Sequence, residues 1–280
     1  MVGVFTCVLD GEEADEESII GQFTHFSDSP FSKLTFLSPK SALNSPRIST
    51  LLEYMTVLSG EKGSLRILAD VEENTQAFES LRKFGFATFT WQRVWQITGV
   101  PADRSLNSTW RTATSRDIIP IRSLYSNLVP PLVQQAEPFS TQIPKGKVYR
   151  QGESVLAFVE IEIGRRGIWM RPFVHPDTEN MSDRLLELVS SIPGRRSRPL
   201  YLCIRSYQAW LESAIEKLGA IAGSRQAVMV RQIAISQKAA RPFALPALDT
   251  GQSEIPAPVA HYLSSPSFVE KQNPGQLEKE

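Results

Sequence analysis

Ile67-Leu-Ala-Asp-Val-Glu-Glu-Asn-Thr-Gln-Ala-Phe-Glu-Ser-Leu-Arg-Lys-Phe-Gly-Phe86 is a compact strand-helix-turn sentence, and the chain writes it twice. The apolar run Leu65 to Val71 reads as a short buried strand. From Asn74 a helix is predicted, with Ala77, Phe78, Leu81 and Phe84 along one stripe. Gly85 ends it, since a helix commonly stops on a residue in the left-handed region, where glycine has no steric penalty. Phe86 through Trp91, Val94 and Trp95 to Ile97 then reads as a returning strand. The second copy has the strand Leu200-Tyr-Leu-Cys-Ile204, then a helix carrying Trp210, Leu211, Ala214, Ile215 and Leu218. It stops at Gly219 and returns through Ala227-Val-Met-Val230 to Ile235. Leu81 corresponds to Ile215, Gly85 to Gly219, Gln92 to Gln226 and Val94 to Val228, all at one offset (215 − 81 = 134).

Working outward, the front of the first unit reads as strands Val2–Leu9, Ile19–Phe26 and Lys33–Leu37, with the acidic run 12–17 as a solvated hairpin loop. A helix follows from about Arg47 to Ser59, its apolar face formed by Ile48, Leu51, Leu52, Met55 and Leu58. The boundary falls in the Gly-, Pro- and Asn-containing stretch 99–108. The second unit has more at its front: a strand at Trp110–Ala113, a helix from a Ser115 cap to Tyr125, and an interruption at Pro130-Pro131. A meander then follows over Lys147–Arg150, Val155–Ile163 and Gly167–Val174, with a helix from Met181 to Ile192. Residues 238–280 hold six prolines and little apolar periodicity, which predicts a largely disordered tail. The expected divisions are 1–100, a linker 101–108, 109–236, and a tail 237–280.

The segment Glu73 to Phe86, with its Asn start, Lys-x-Gly-Phe end and following strands, resembles the region around the fourth helix of the GNAT N-acetyltransferases. The resemblance extends over roughly residues 1–236. It implies an α/β fold of two tandem GNAT-like units, mixed central sheets flanked by helices, the first unit truncated at its front. It further implies transfer of an acetyl or other acyl group from acyl-CoA to an amine of unknown identity, small molecule or peptide. A backbone amide of the fourth strand would polarise the thioester carbonyl.

That family holds the acyl-CoA pyrophosphate at a helix N-terminus after a Gln/Arg-x-x-Gly-x-Gly/Ala loop, because glycine lets backbone N–H groups approach an anion. Neither copy here keeps the glycines. In the first unit Pro46 and Ile48 stand in their places, and Pro46 also lacks an amide donor. In the second, Asn180 and Ser182 do, with Arg184 opposing the negative charge of Asp177, Glu179 and Asp183. Asn180, Ser182 and Arg184 are therefore the candidate cofactor contacts, together with Asn74. For Asn74 the preferred reading is a plain helix N-cap.

The family's proton-donating tyrosine is matched by Leu81 and Ile215, which have no proton to give. Glu160 and Glu162 share one face of a strand. Each is either a base for the amine or solvated surface, the latter preferred. His175 follows the predicted fourth strand and is the remaining candidate base, its plainer reading being an incidental loop residue. Arg195, Arg196 and Arg198 read as a solvated turn, and Trp91, Trp95, Trp169 and Trp210 as core. The rival to an enzyme is a non-catalytic binding or scaffold protein that has kept the fold and lost the cofactor loop.

Composition narrows the alternatives. Thirty basic residues balance thirty acidic ones, so no net field draws in nucleic acid or an anionic membrane. Three histidines and two cysteines, Cys7 and Cys203, offer no metal-ligand spacing and no disulfide framework. The amino-terminal run lacks the pattern of a signal peptide, and no apolar stretch approaches the ~20 residues that span a bilayer, so a cytoplasmic location is expected. Gly-x-Ser-x-Gly and Walker-type loops do not occur.

Overall fold

The computed structural model describes residues 2–11, 17–27, 29–98, 108–140, 145–194 and 198–233. The acidic run 12–16, most of the linker, Arg195, Arg196 and the tail lie outside them.

The first unit contributes strands β1 (Val2–Leu9), β2 (Ile19–Phe26) and β3 (Phe31–Ser38), helix α1 (Arg47–Glu61), strand β4 (Arg66–Glu72), helix α2 (Gln76–Lys83) and strand β5 (Ala87–Ile97). A 3-10 helix, Lys40–Asn44, links β3 to α1. The second unit has β6 (Arg111–Thr112), α3 (Ile118–Leu128), α4 (Pro131–Ala136), β7 (Gly146–Gln151), β8 (Ser154–Ile163) and β9 (Ile168–Val174). Then come α5 (Met181–Ser191), β10 (Leu200–Arg205), the 3-10 helix Ser206–Leu211, α6 (Glu212–Glu216) and β11 (Ile221–Gln232).

The eleven strands of the described residues form one sheet, in the order β1-β2-β3-β4-β11-β5-β10-β9-β8-β7-β6. The repeat is therefore not two closed sheets side by side. β11, the last strand of the second unit, lies between β4 and β5 of the first, and β5 in turn pairs with β10. Each unit is completed by the other's closing strand. Gln92 and Gln226, equivalent at the repeat offset, face each other across this exchange, and Gln92 Nε2 donates to Gln226 Oε1 at 2.8 Å.

The two helix stops behave as glycine stops should, with φ +89° at Gly85 and +73° at Gly219. The helix starts need correction. Thr75, not Asn74, caps α2, its side chain accepting from Phe78 N, while Asn74 sits in the left-handed region at φ 61°. Thr114 rather than Ser115 opens the segment before α3, in a reciprocal capping box with Asp117. The second repeat helix is broken into a 3-10 turn and one short α-helical turn.

One face of the first unit packs on α1 and α2 through Phe23, Leu51, Leu52, Met55 and Leu81. The matching face of the second unit packs on α5 and α6 through Met170, Leu185, Leu188, Leu202 and Ile215. Trp95 belongs to that core, but Trp210 is substantially exposed. On the opposite face, α3 buries Ile121, Leu124 and Tyr125 against Phe158 and Phe173. Among the described residues the first unit has no counterpart of β6, α3 and α4, and Val2, Val4, Val8 and Phe26 are half exposed on the corresponding face of β1 and β2.

Within each unit two parallel strands diverge. β3 and β4 pair only from Phe31–Arg66 to Leu34–Ala69, and β9 and β10 only from Ile168–Leu200 to Met170–Leu202. Beyond those points both pairs splay, and the helix that follows the first strand of each pair, α1 or α5, starts beside the opening.

Candidate functional site

The opening in the first unit is filled from within. The 3-10 helix Lys40–Asn44 buries Leu43 among the side chains of α1 and α2, and Ser80 Oγ of α2 donates to the Leu43 carbonyl at 2.5 Å. The N-terminal turn of α1 has no donors to spare. Arg47 N bonds Ser45 Oγ at 3.3 Å, Ile48 N bonds Ser45 O at 3.1 Å, and Ser49 N bonds Pro46 O at 3.1 Å. Ile48 is itself a core residue. A phosphate arriving here would meet neither a free amide nor room.

The second opening differs. Asn180 precedes α5 in the left-handed region (φ 53°, ψ 45°) and does not cap it with its side chain. The first helical bond is Arg184 N to Asn180 O, at 3.1 Å. Hence the amides of Met181, Ser182 and Asp183 have no acceptor among the described residues, the situation in which a helix terminus can receive an anion. Asp183 lies in that turn and works against it by charge. Arg184 points away: its Nη1 bonds Glu187 Oε1 at 2.9 Å and Thr109 Oγ1 at 3.3 Å, and its guanidinium stacks 5.0 Å from the Tyr149 ring. Of the sequence candidates, Asn180 and Ser182 stand at the free turn. Arg184 is held one turn along, and Asn74 lies in the other unit.

Deeper in this opening, the backbone of β9 is already engaged. Residues of a strand alternate in direction, and His175 N turns to Leu156 O of β8 at 2.8 Å. Val174 N and Pro172 O therefore turn towards β10. Both are taken by Gln208, whose Oε1 accepts from Val174 N and whose Nε2 donates to Pro172 O, each at 2.8 Å.

The carboxylates read as candidate bases are placed as follows. Glu160 Oε2 is clamped by Arg171 Nε at 3.0 Å and Nη2 at 2.7 Å. Both bonds fall on this one oxygen and tie Glu160 to Arg171 on the neighbouring strand β9. Glu162 is exposed on the outer part of β8. His175 Nδ1 accepts from Asp177 N at 3.3 Å and lies 3.5 Å from the Asp177 carboxylate, on the loop rather than in the opening. Arg171 also reaches Glu137, which takes two bonds from the buried Arg205 at 2.8 and 2.9 Å.

Sequence reasoning missed Tyr207. It looked for a proton donor at Ile215, inside the helix, whereas the tyrosine sits between the end of β10 and Gln208. Tyr207 lines a cavity of about 340 Å³ with Phe89, Trp91, Leu132, Val133 and Ser206. Burial pushes its hydroxyl up to about 12, against the pull of Arg205 and Arg171. The available signal was the Ser-Tyr-Gln triplet that directly follows the second-copy strand.

No family model matches the sequence, and no curated protein matches it. Solved structures do. A GCN5-related N-acetyltransferase from Sphaerobacter thermophilus aligns over 78% of this chain and 78% of its own, at 12% identity and TM-score 0.50. A functionally unknown conserved protein from Staphylococcus epidermidis aligns over 80% of this chain and 95% of its own, at 12% identity and TM-score 0.52. A tandem GNAT protein from the clavulanic acid biosynthesis pathway covers 84% of both chains at 11% identity and TM-score 0.47. With its splayed parallel strands each followed by a helix at the opening, the chain has the fold of the GCN5-related N-acetyltransferases.

Proposed function

We propose that the chain is an acyl-CoA-dependent N-acyltransferase that works in its second unit. The observation that carries this reading is the unengaged first turn of α5 at the mouth of the β9–β10 splay, set against a first turn of α1 in which every donor is used. The acyl donor's pyrophosphate would rest on the amides of Met181, Ser182 and Asp183, beside Asn180. Its thioester would extend into the splay, where Val174 N is the amide able to polarise the carbonyl. The acceptor amine would enter through the cavity beneath Tyr207. Its nitrogen lone pair attacks the carbonyl carbon, the carbon–sulfur bond breaks, and the thiolate takes the Tyr207 proton. The surplus proton on the new amide nitrogen then restores the phenol. A hydroxyl held near 12 is fully protonated at neutral pH, as a donor must be.

Acetyl-CoA and a panel of primary amines test the reaction through release of free thiol. Thiol release above the amine-free rate is expected for at least one amine, with Tyr207→Phe slowing it about 100-fold while acetyl-CoA still binds. The alternative is a non-catalytic binding protein, in which Gln208 would permanently hold the backbone groups the thioester needs. Binding without thiol release from any amine would favour that reading, and absence of binding would overturn the first.

A further inference from the structure

We propose that Gln208 is a built-in surrogate for the acyl donor, and that the donor enters the second unit only by displacing this side chain; the proposal rests on the acyl-CoA reading above. An exposed strand edge with one free N–H and one free C=O two residues away is a site for an amide, which supplies the complementary carbonyl and N–H. The pantetheine arm of an acyl-CoA is an extended chain with two amides and a thioester. Gln208 offers the same pair of groups from a side chain and satisfies Val174 N and Pro172 O at once.

Three features mark this as a built contact. Gln208 is 2% exposed, so its amide is held in the splay and not merely resting on the surface. Its backbone departs from the helix around it, at φ −123° and ψ 24°, interrupting the 3-10 turn Ser206–Leu211 at the residue whose side chain enters the splay. Pro172, its acceptor, has no N–H of its own, so on this stretch of β9 only Val174 N faces the opening as a donor. A thioester carbonyl and the Gln208 carbonyl therefore compete for one proton.

Displacement has a consequence for the acceptor. Ser206 and Tyr207, the two residues before Gln208, line the cavity under Tyr207. Moving Gln208 out of the splay shifts the segment that walls this cavity, so donor binding reshapes the acceptor site.

The test is calorimetric titration of the full chain with acetyl-CoA, comparing wild type with Gln208→Ala and Gln208→Met, folding being verified by circular dichroism. Alanine clears the splay, and it should tighten binding at least about tenfold. Methionine keeps the bulk without the hydrogen bonds, so Gln208→Met should stay as weak as wild type or weaker. If alanine leaves two unsatisfied backbone groups and the chain does not fold, Gln208→Ser, whose short hydroxyl can hold a water against them, carries the same expectation. Wild type binding as tightly as a folded Gln208→Ala or Gln208→Ser chain would overturn the surrogate and leave the acyl-CoA reading standing. Failure of every folded variant to bind at millimolar acetyl-CoA would overturn both.

Discussion

The two units share a strand-helix-strand plan at a fixed offset, yet they close their splayed strands by different means. In the first, a 3-10 helix that buries Leu43 is packed among α1 and α2, and the helix amides are spent on Ser45 and Pro46. In the second, the helix amides are free and a single side-chain amide stands in the opening. Filling with core is costly to reverse, because removing a buried leucine loses apolar burial and leaves a void. Filling with one glutamine exchanges hydrogen bonds for hydrogen bonds, and an incoming amide can repay them. The difference teaches that two similar strand openings can be shut at unequal cost, one by core and the other by a side chain whose hydrogen bonds another amide can replace.

The comparison can be broken hardest through Asp117. This carboxylate is fully buried and joins β6, β7 and the start of α3 by accepting from Arg111 Nη1 at 2.7 Å, Arg150 Nη2 at 3.1 Å and Thr114 N at 2.9 Å. It stabilises only the front of the second unit, which the first unit lacks. Asp117→Ala should cost about 3 kcal/mol by chemical denaturation, since it removes the capping box before α3 and the charge-assisted hydrogen bonds from Arg111 and Arg150. Hydrogen bonds from Arg111 hold its carboxyl well below the usual range. A depressed carboxylate gives stability that is full above its unfolded value near 4 and vanishes as the pH falls through the folded value. The gap between wild type and Asp117→Ala should therefore be constant near neutrality and shrink in acid. A gap that widened in acid would contradict the assignment.

Leu43→Ala sharpens the contrast between the two closures. It should destabilise by about 2–3 kcal/mol and yet create no acetyl-CoA site in the first unit, because the α1 amides stay engaged. Acetyl-CoA binding that improved in this variant would show that the filled opening was only occluded.

The smallest effect concerns the exchange of closing strands. In a double-mutant cycle, Gln92→Ala and Gln226→Ala should couple by about 1 kcal/mol, the worth of the amide bond between them. Additive effects would mean that the two units do not share that contact in solution.

Much of this was legible in the chain. β1 and β2 have the bounds read from the sequence, and their burial alternates as one packed face of a sheet requires. The glycine stops were legible because only the left-handed conformation demands them. The exchange of β11 was not, since periodicity gives the face of a strand and never its neighbour. Gln208 was hidden for a related reason: a polar residue in a helical stripe reads as solvent-facing, and nothing local says that the helix breaks there to turn it inward. Asn74 was misread as the cap by one position, because Thr75 beside it is an equally good cap and the left-handed turn at Asn74 decides between them.

The central claim, that the second unit and not the first receives the acyl donor, is tested most directly by placing the same charge at matched helix starts. Ser182→Glu sets a carboxylate in the free turn of α5, and Ser49→Glu sets one in the first turn of α1. Each variant is titrated with acetyl-CoA beside wild type. Ser182→Glu should weaken binding at least about tenfold, with Ser49→Glu leaving it unchanged. The reverse pattern, or binding indifferent to both substitutions, would contradict the account.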